Sequence, residues 1–236
     1  MKIHRFYLQD KPEVIEGSSR FTILDGELIH QWRTVLRFTE GSIAELFMQD
    51  GTAYSVKLVE LTRRMSTWEM LQETKKDIVE SKISLYMSII KKDNFELIVQ
   101  KATELGVDEI VPVLSSRSQY KTFNQDRLNK IIIEATEQSG GFNLPVITNA
   151  RTLEEALNHA QEKNEEIIVG EFDGVHLQDL EHERNAHVAL FIGPEGGWSE
   201  KDREAFEKFS ATKISFGEKI LRAETAAIIG VWEFGK

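Results

Sequence analysis

Residues 191–225 read FIGPEGGWSEKDREAFEKFSATKISFGEKILRAET, and the way this stretch folds decides how the rest is read. It holds two glycine-bearing loops, GPEGG at 193–197 and FGEKILRAET at 216–225. Each follows a short apolar run, 188–192 and 213–216, that reads as a buried strand, and a helix-length segment lies between them. Loops that leave neighbouring strands meet at the carboxyl edge of a sheet, where α/β folds bind ligands. The stretch predicts a small-molecule pocket built mostly from backbone.

Taken alone, GPEGG also fits a tight strand-to-helix turn, with glycines for positive φ and Pro194 fixing φ on the way. Ser199 is the expected cap of the next helix, three residues ahead of Asp202. Gly196 and Gly197 leave bare backbone beside Glu195, which suits a ligand pressed against amides. The spacing matches neither the dinucleotide fingerprint nor the P-loop, and no basic residue stands inside the loop. A neutral or zwitterionic nucleoside fits better than a triphosphate. The second loop brings Lys219, Arg222, Glu224 and Thr225 beside the first. Arg222 and Glu224 read either as a salt bridge at a helix start or as groups that meet an RNA phosphate or an oxyanion.

Outward from these loops, strands are expected at 83–90, 109–114, 146–147 and 166–169, and helices at 95–105, 125–138, 153–161, 200–209 and 223–234. Such alternation implies a parallel sheet covered on both faces. The last helix, AETAAIIGVWEF, is apolar nearly all round, so it must be buried in its own core, in a partner subunit, or in both. Residues 1–71 are β-rich, with strand candidates at 3–8, 21–24, 42–48 and 52–61 and a hairpin signal at Asp50-Gly51. Only 26–37, GELIHQWRTVLR, has helical spacing there, so a small barrel with one helix is expected. Residues 63–82 read as a linker region, giving domains 1–71 and 72–236.

Composition sets the limits. The chain of 236 residues is 41% hydrophobic and 29% charged, as a soluble globular protein is. No apolar run approaches the ~20 residues of a transmembrane helix, and MKIHRFYLQDKPE lacks a signal-peptide core. There is no cysteine, which excludes disulfides, thiolate catalysis and Cys-ligated zinc and fits a reducing cytoplasm. The six histidines show no metal-ligand spacing, so no metal is expected, and no G-x-S-x-G elbow occurs. The net charge of −10 is uneven: residues 126–190 carry 5 Lys/Arg against 13 Asp/Glu, which is most of the excess. A basic, RNA-contacting surface elsewhere is compatible with that balance. His30, Arg33 and Arg37 fall about one turn apart, with Arg5 nearby, as a solvated face or a phosphate-contacting patch. Glu96, Gln100, Lys101 and Glu104 read equally as ion-pair decoration or as a functional face, and Arg117 follows another strand as a candidate phosphate contact.

IGPEGGWSEKDREAF followed by GEKILRAETAAI resembles the SPOUT superfamily of knotted methyltransferases, in particular the RsmE-type ribosomal RNA uridine-N3 methyltransferases. The resemblance extends to ELIVQKATELGVDEIVPVLSSRS, to EATEQSG, and to HRF with IHQWRTVLR at the amino end, so it spans nearly the whole chain. Two departures stand out: Gly141-Phe142 where the family has arginine after EQSG, and Phe216-Gly217-Glu218-Lys219 where it favours Leu-Gly-Glu-Arg. The resemblance implies a PUA-like β-barrel ahead of a SPOUT domain with a trefoil knot, and a cytoplasmic homodimer packed through the last helix. It implies S-adenosyl-L-methionine as cofactor, held by Gly170, Ile192, Gly193, Pro194, Glu195, Gly196 and Gly197, and by Ser215, Phe216, Gly217, Ile220, Leu221 and Thr225. The implied reaction methylates N3 of a uridine in 16S rRNA of the small ribosomal subunit, with Arg222, Glu195 and Glu224 as catalytic candidates. Arg5, Arg33, Arg37, Lys101 and Arg117 are the implied RNA contacts. Two rivals share the fold: an enzyme acting on transfer RNA or large-subunit RNA, and a non-catalytic ribosome assembly factor.

Overall fold

The computed structural model describes residues 3–76, 82–180 and 186–235. The chain divides into two compact units, Met1–Val79 with Glu137–Asn143, and Glu80–Thr136 with Leu144–Lys236.

Among the described residues, the first unit has strands β1 (His4–Tyr7), β2 (Arg20–Ile23), β3 (Ile43–Phe47), β4 (Thr52–Leu61) and β5 (Ser66–Lys75) and one helix, α1 (Gly26–His30). The sheet is mixed, in the order β1-β3-β4-β5-β2, with β1 parallel to β3 and the other pairs antiparallel. β5 corrects the linker expectation: a ten-residue strand covers 66–75, and the boundary at 71/72 falls inside it. Its residues Ser66, Thr67 and Trp68 are buried but show no clean apolar alternation, so only pairing with β4 and β2, distant partners in sequence, reveals the strand. Trp68 meets Trp32 edge-on at 5.0 Å, and Trp32 meets Phe6 at 5.5 Å.

The helix starts on Asp25, whose Oδ1 accepts hydrogen bonds from the amides of Glu27 and Leu28. It runs on into a π-helical turn, Gln31–Val35, closed by Leu36 N–H donating to Gln31 O. The wider turn shifts the apolar stripe, so Val35 faces solvent while Trp32 is buried.

The second unit is a seven-stranded sheet in the order β12-β10-β11-β6-β7-β8, with β9 also paired to β7, and every pair is parallel. Its strands are β6 (Ile83–Ser88), β7 (Glu109–Leu114), β8 (Val146–Ile147), β9 (Arg151–Thr152), β10 (Glu166–His176), β11 (Val188–Ile192) and β12 (Thr212–Ser215). Its helices are α2 (Lys92–Glu104), α3 (Gln125–Ser139), α4 (Leu153–Glu162), α5 (Glu200–Lys208) and α6 (Ala223–Phe234). All six residues of β6 are buried, as a parallel strand covered on both faces requires. Ile83, Leu85 and Met87 pack with α2, α3 and α6. Tyr86 packs with α4 and α5 on the opposite face, stacked on Phe191 at 4.4 Å, a contact worth roughly 0.5–1.5 kcal/mol beyond its area.

The amino edge of this sheet is closed by side chains. Glu165, just before β10, accepts hydrogen bonds from Ser84 Oγ, from Tyr86 Oη at 2.8 Å and from Lys163 Nζ at 2.8 Å. Lys163 also meets Glu109 at 2.7 Å, and His159 Nε2 lies 3.2 Å from the same carboxylate. Burial, then Glu165, pushes the Tyr86 phenol well above its ordinary value. Burial acts to lower the Lys163 pKa, but bonds to Glu109 and Glu165 outweigh it and leave the ammonium above its ordinary value.

β10 is longer than the expected strand at 166–169. Its pairing with β12 jumps register between Gly170 and Val175, so residues 171–174 leave the ladder as an excursion at the carboxyl edge.

Candidate functional site

β10, β11 and β12 are adjacent and parallel, so the segments that leave their carboxyl ends converge. After β11 the chain turns through 193–197, where Gly197 holds φ +64° and donates its N–H to Pro194 O at 2.8 Å. A side chain is strained at that φ, which is why glycine stands there. A Cβ on Gly193 would come within 3.1 Å of the Trp198 ring. Trp198 is buried and donates Nε1–H to Gly170 O at 3.2 Å, so one indole ties the GPEGG loop to the point where β10 leaves its ladder with β12.

Ser199 and Asp202 form the expected capping box of α5, with Asp202 N–H donating to Ser199 Oγ and Ser199 N–H to Asp202 Oδ2. The other Asp202 oxygen accepts from Ser116 Oγ at 2.8 Å. Burial acts to raise the Asp202 pKa, but hydrogen bonds from Ser199 and Ser116 outweigh it and hold the carboxyl below its ordinary value. Next to Ser116, Arg117 donates Nη1–H to Gly196 O at 2.8 Å. The loop after β7 is thus moored at two points to the loop after β11.

These segments enclose a cavity of about 700 Å³. Of the sequence candidates for a small-molecule site, Gly170, Ile192, Gly193, Pro194, Glu195, Gly196, Gly197, Ser215, Phe216, Ile220 and Leu221 line it. Gly217 and Thr225 do not line it. Gly217 is tied back to Ser215 Oγ and faces His176, and the helical period turns Thr225 outward to solvent. The three catalytic candidates come together on the wall. Arg222 precedes α6 with its side chain 86% exposed, and its Nη1 lies 3.9 Å from Oε1 of Glu224, which is 13% exposed. Glu195 is exposed on the facing loop.

The cationic candidates are dispersed. Arg33 and Arg37 are exposed in the first unit, and Arg37 ends the helical stretch with φ +54°. Arg5 is a correction: it is ion-paired to Glu45, donates to Gly141 O at 3.1 Å, and lies over the rings of Phe47 at 4.4 Å and Phe142 at 4.9 Å. Those contacts, all within the first unit, engage its guanidinium. Lys101 is half-buried and paired with Glu104 at 2.8 Å, and it does not line the cavity. Arg117 sits against Gly196, at the cavity's lip.

Sequence reasoning missed Asn94, Glu171, Phe172 and Arg203, which also line the cavity. Arg203 holds Glu171 in a two-pronged ion pair, Nε to Oε1 at 2.9 Å and Nη2 to Oε2 at 3.4 Å. Glu171 and Phe172 reach the site because β10 breaks register there, and the paired glycines Gly170 and Gly174 were the signal that could have found them. Among the described residues no cluster of three or more His, Cys, Asp or Glu is arranged to hold a metal ion, and no helix is long and apolar enough to cross a membrane.

Residues 78–231 match the sequence model of a family described as RNA methyltransferase domain. The Ribosomal RNA small subunit methyltransferase E of Rickettsia conorii is 29% identical over an alignment 245 positions long that covers 98% of this chain and 94% of that protein. The fold is similar to the crystal structure of a Ribosomal RNA small subunit methyltransferase E from Neisseria gonorrhoeae bound to S-adenosyl methionine. That similarity has a TM-score of 0.85 at 27% identity and covers 98% of this chain and 95% of the other. A Legionella pneumophila protein solved in complex with the bound cofactor SAM gives a TM-score of 0.85 at 26% identity, with 98% and 96% of the two chains covered.

Proposed function

The chain belongs to the RNA methyltransferase family, and from that premise we propose that it methylates N3 of a uridine in 16S rRNA of the small ribosomal subunit. The observation that carries this reading is the 700 Å³ cavity lined by two glycine loops, with Arg222, Glu195 and Glu224 on its wall. The relatives named for small-subunit RNA methylation cover almost the whole chain, and two proteins of this fold hold S-adenosylmethionine.

The residues present fit that cofactor. Four glycines bare backbone on the cavity wall, Ile192, Leu221 and Phe216 supply apolar surface, and the GPEGG loop carries no cation to demand a phosphate. Gly170, residues 192–197, Ser215, Phe216, Ile220 and Leu221 would hold it. When bound, S-adenosyl-L-methionine supplies a methyl group made electrophilic by its sulfonium.

Uracil N3 carries a proton at neutral pH, so reaction requires its removal and stabilisation of the charge that develops on O2 and O4. Arg222, mostly exposed and only loosely paired, is free to offer its N–H groups to that charge. Glu224, largely shielded, orients Arg222, and Glu195 on the opposite loop accepts the proton. N3 is also the pairing edge, so the base enters unpaired or flipped out. Arg33, Arg37, Arg117 and Lys101 contact the RNA backbone, and we leave out Arg5 because its contacts are internal.

We further read the first unit as a PUA-like barrel, supported by its five-stranded mixed sheet and single helix. We read the second as a trefoil-knotted SPOUT domain. The strand order supports this, since β12 lies outside β10 while the next helix, α6, packs back on β11 and β6. A cytoplasmic homodimer packed through α6 accounts for Trp232, 56% exposed on an apolar helix.

Small subunits from a strain lacking the activity, incubated with the protein and methyl-labelled cofactor, test the reading. Mass spectrometry of the digested RNA is expected to find one N3-methyluridine. Label on a ribose hydroxyl, or on transfer RNA only, would overturn it.

A further inference from the structure

A second cavity, of about 530 Å³, opens at the same edge of the seven-stranded sheet, between the connections that leave β6 and β7. Its lining includes Lys92, Phe95 and Glu96 from the first turns of α2, and Thr122, Phe123 and Asn124 from the loop before α3. No residue assigned to the methyl-transfer site lies in it.

Three observations say what it takes. The first is position. Asn94 lines the first cavity while Phe95 beside it lines the second. Both residues stand in the first turn of α2, so that turn, an α-helix about 10–12 Å across with its side chains, divides the two cavities. One single-stranded segment that crosses this turn can reach both cavities.

The second is chemistry. Phe95 and Phe123 lie with nearly parallel rings, centroids 6.0 Å apart and planes at 28°, and give the cavity an apolar wall. Glu96, Thr122 and Asn124 add donors and acceptors at its edge. Lys92, 75% exposed, and Arg127 stand near Glu96 at 3.7 and 3.5 Å, which puts cations at the rim. An apolar wall for a ring, a polar edge to read it and cations for a phosphate are the requirements of a nucleotide.

The third is the loop 115–124, which joins the two cavities. Its start is moored to the first site through Ser116 to Asp202 and Arg117 to Gly196, and its end walls the second through Thr122–Asn124. Between them Tyr120 and Lys121 are exposed, an aromatic and a cation on the outer side of the span.

We propose that this second cavity receives the base of a nucleotide adjacent to the methylated uridine, so that the enzyme engages two consecutive nucleotides of a single-stranded segment. The inference rests on the RNA-methylating reading of the first site.

The test uses small subunits reconstituted with 16S rRNA ligated to carry an abasic residue on one side of the target uridine or the other. For the wild-type protein one of the two abasic substrates should lower kcat/KM about tenfold or more, the scale of one base stacked on an aromatic side chain. Phe123→Ala should lose a similar factor on the intact substrate and nothing further on that abasic one. Its affinity for S-adenosylhomocysteine, measured by calorimetry, should equal wild type, which shows that the fold and the first cavity survive. Lys92→Gln, at an exposed position that does not threaten folding, should lower the salt dependence of binding by about one phosphate contact.

The inference is overturned if Phe123→Ala loses the same factor on intact and abasic substrates, or methylates the intact substrate at the wild-type rate. A shift of Phe123→Ala to a smaller oligomer would overturn it in favour of a second copy of the chain as occupant. If the wild-type protein labels no uridine in any of these subunits, the proposed function itself fails and takes this inference with it.

Discussion

The two edges of the seven-stranded sheet are made from opposite materials. At the amino edge, Ser84, Tyr86, Glu109, His159, Lys163 and Glu165 bond to one another, so polar side chains are matched inside the protein. At the carboxyl edge two glycine loops form much of the wall, and although Arg203 and Glu171 are paired on it at 2.9 Å, Arg222 and Glu224 approach no closer than 3.9 Å. A matched network has no bonding capacity left for a ligand, whereas a loosely paired guanidinium beside open backbone does. The difference separates stability from chemistry within one sheet. The carboxyl edge is still not loose, because Trp198, Asp202 and Arg117 brace its loops from behind.

That contrast can be broken at either edge. The largest effect is expected from Arg222→Ala, which should lower single-turnover methyl transfer by about 10²–10³-fold, the scale for removing one donor to a developing anion. Its calorimetric affinity for S-adenosylhomocysteine and its melting temperature should stay near wild type. Transfer at the wild-type rate would remove Arg222 from the chemistry.

Glu165→Ala is the mirror experiment. It strips partners from Ser84, Tyr86 and Lys163 in a buried setting, where breaking such a network costs about 3 kcal/mol. For a chain of this length that lowers Tm by roughly 6–12 °C, while kcat/KM well below Tm should not change. A fall in kcat/KM without a fall in Tm would show that the two edges are not separate.

Arg117→Ala sharpens the contrast, because Arg117 both braces Gly196 and is exposed to solvent. About a tenfold loss of kcat/KM is expected, with the salt slope of RNA binding smaller by about one contact. Should the loss appear entirely as weaker S-adenosylhomocysteine binding, the residue is a brace and nothing more.

The smallest effect is expected from Asp202→Asn, about 1 kcal/mol for a weakened capping box. Its sign against pH is set by the depressed carboxyl. A folded pKa below the ordinary 3.8 contributes stability above that value and loses it as pH falls through the lower folded value. The amino edge answers to alkali instead. Lys163 and Tyr86 both titrate higher when folded, so their contribution is complete below pH 10 and is lost as pH rises beyond it. Urea titrations across pH should therefore find Asp202→Asn less sensitive to acid than wild type, and Glu165→Ala less sensitive to alkali.

Much of the second unit was legible because its signals are local. Val188–Ile192, Glu109–Leu114 and Ala223–Phe234 begin and end where their apolar runs do, and Ser199 announced its helix through contacts only three residues long. β5 was not legible. Ser66, Thr67 and Trp68 carry a weak pattern, and the strand exists by pairing with β2 and β4. The π turn was hidden for a related reason: one extra residue per turn leaves composition unchanged but moves Val35 out of the core.

The candidate site divides the same way. By itself the sequence determined the two glycine loops, the absence of a phosphate-loop spacing, and the pairing of Arg222 with Glu224, because each depends on residues near one another in the chain; Glu195 joined them as a candidate only through the family resemblance. Only the tertiary structure decided that Arg5 is packed against Phe47 and Phe142, that Asp202 reaches back to Ser116, and that Glu171, Phe172, Arg203 and Asn94 stand on the cavity wall. Those outcomes follow from strand order and from a break in register between β10 and β12. Both are long-range properties: hydrophobic pattern states which residues are buried, but not which buried strands lie side by side.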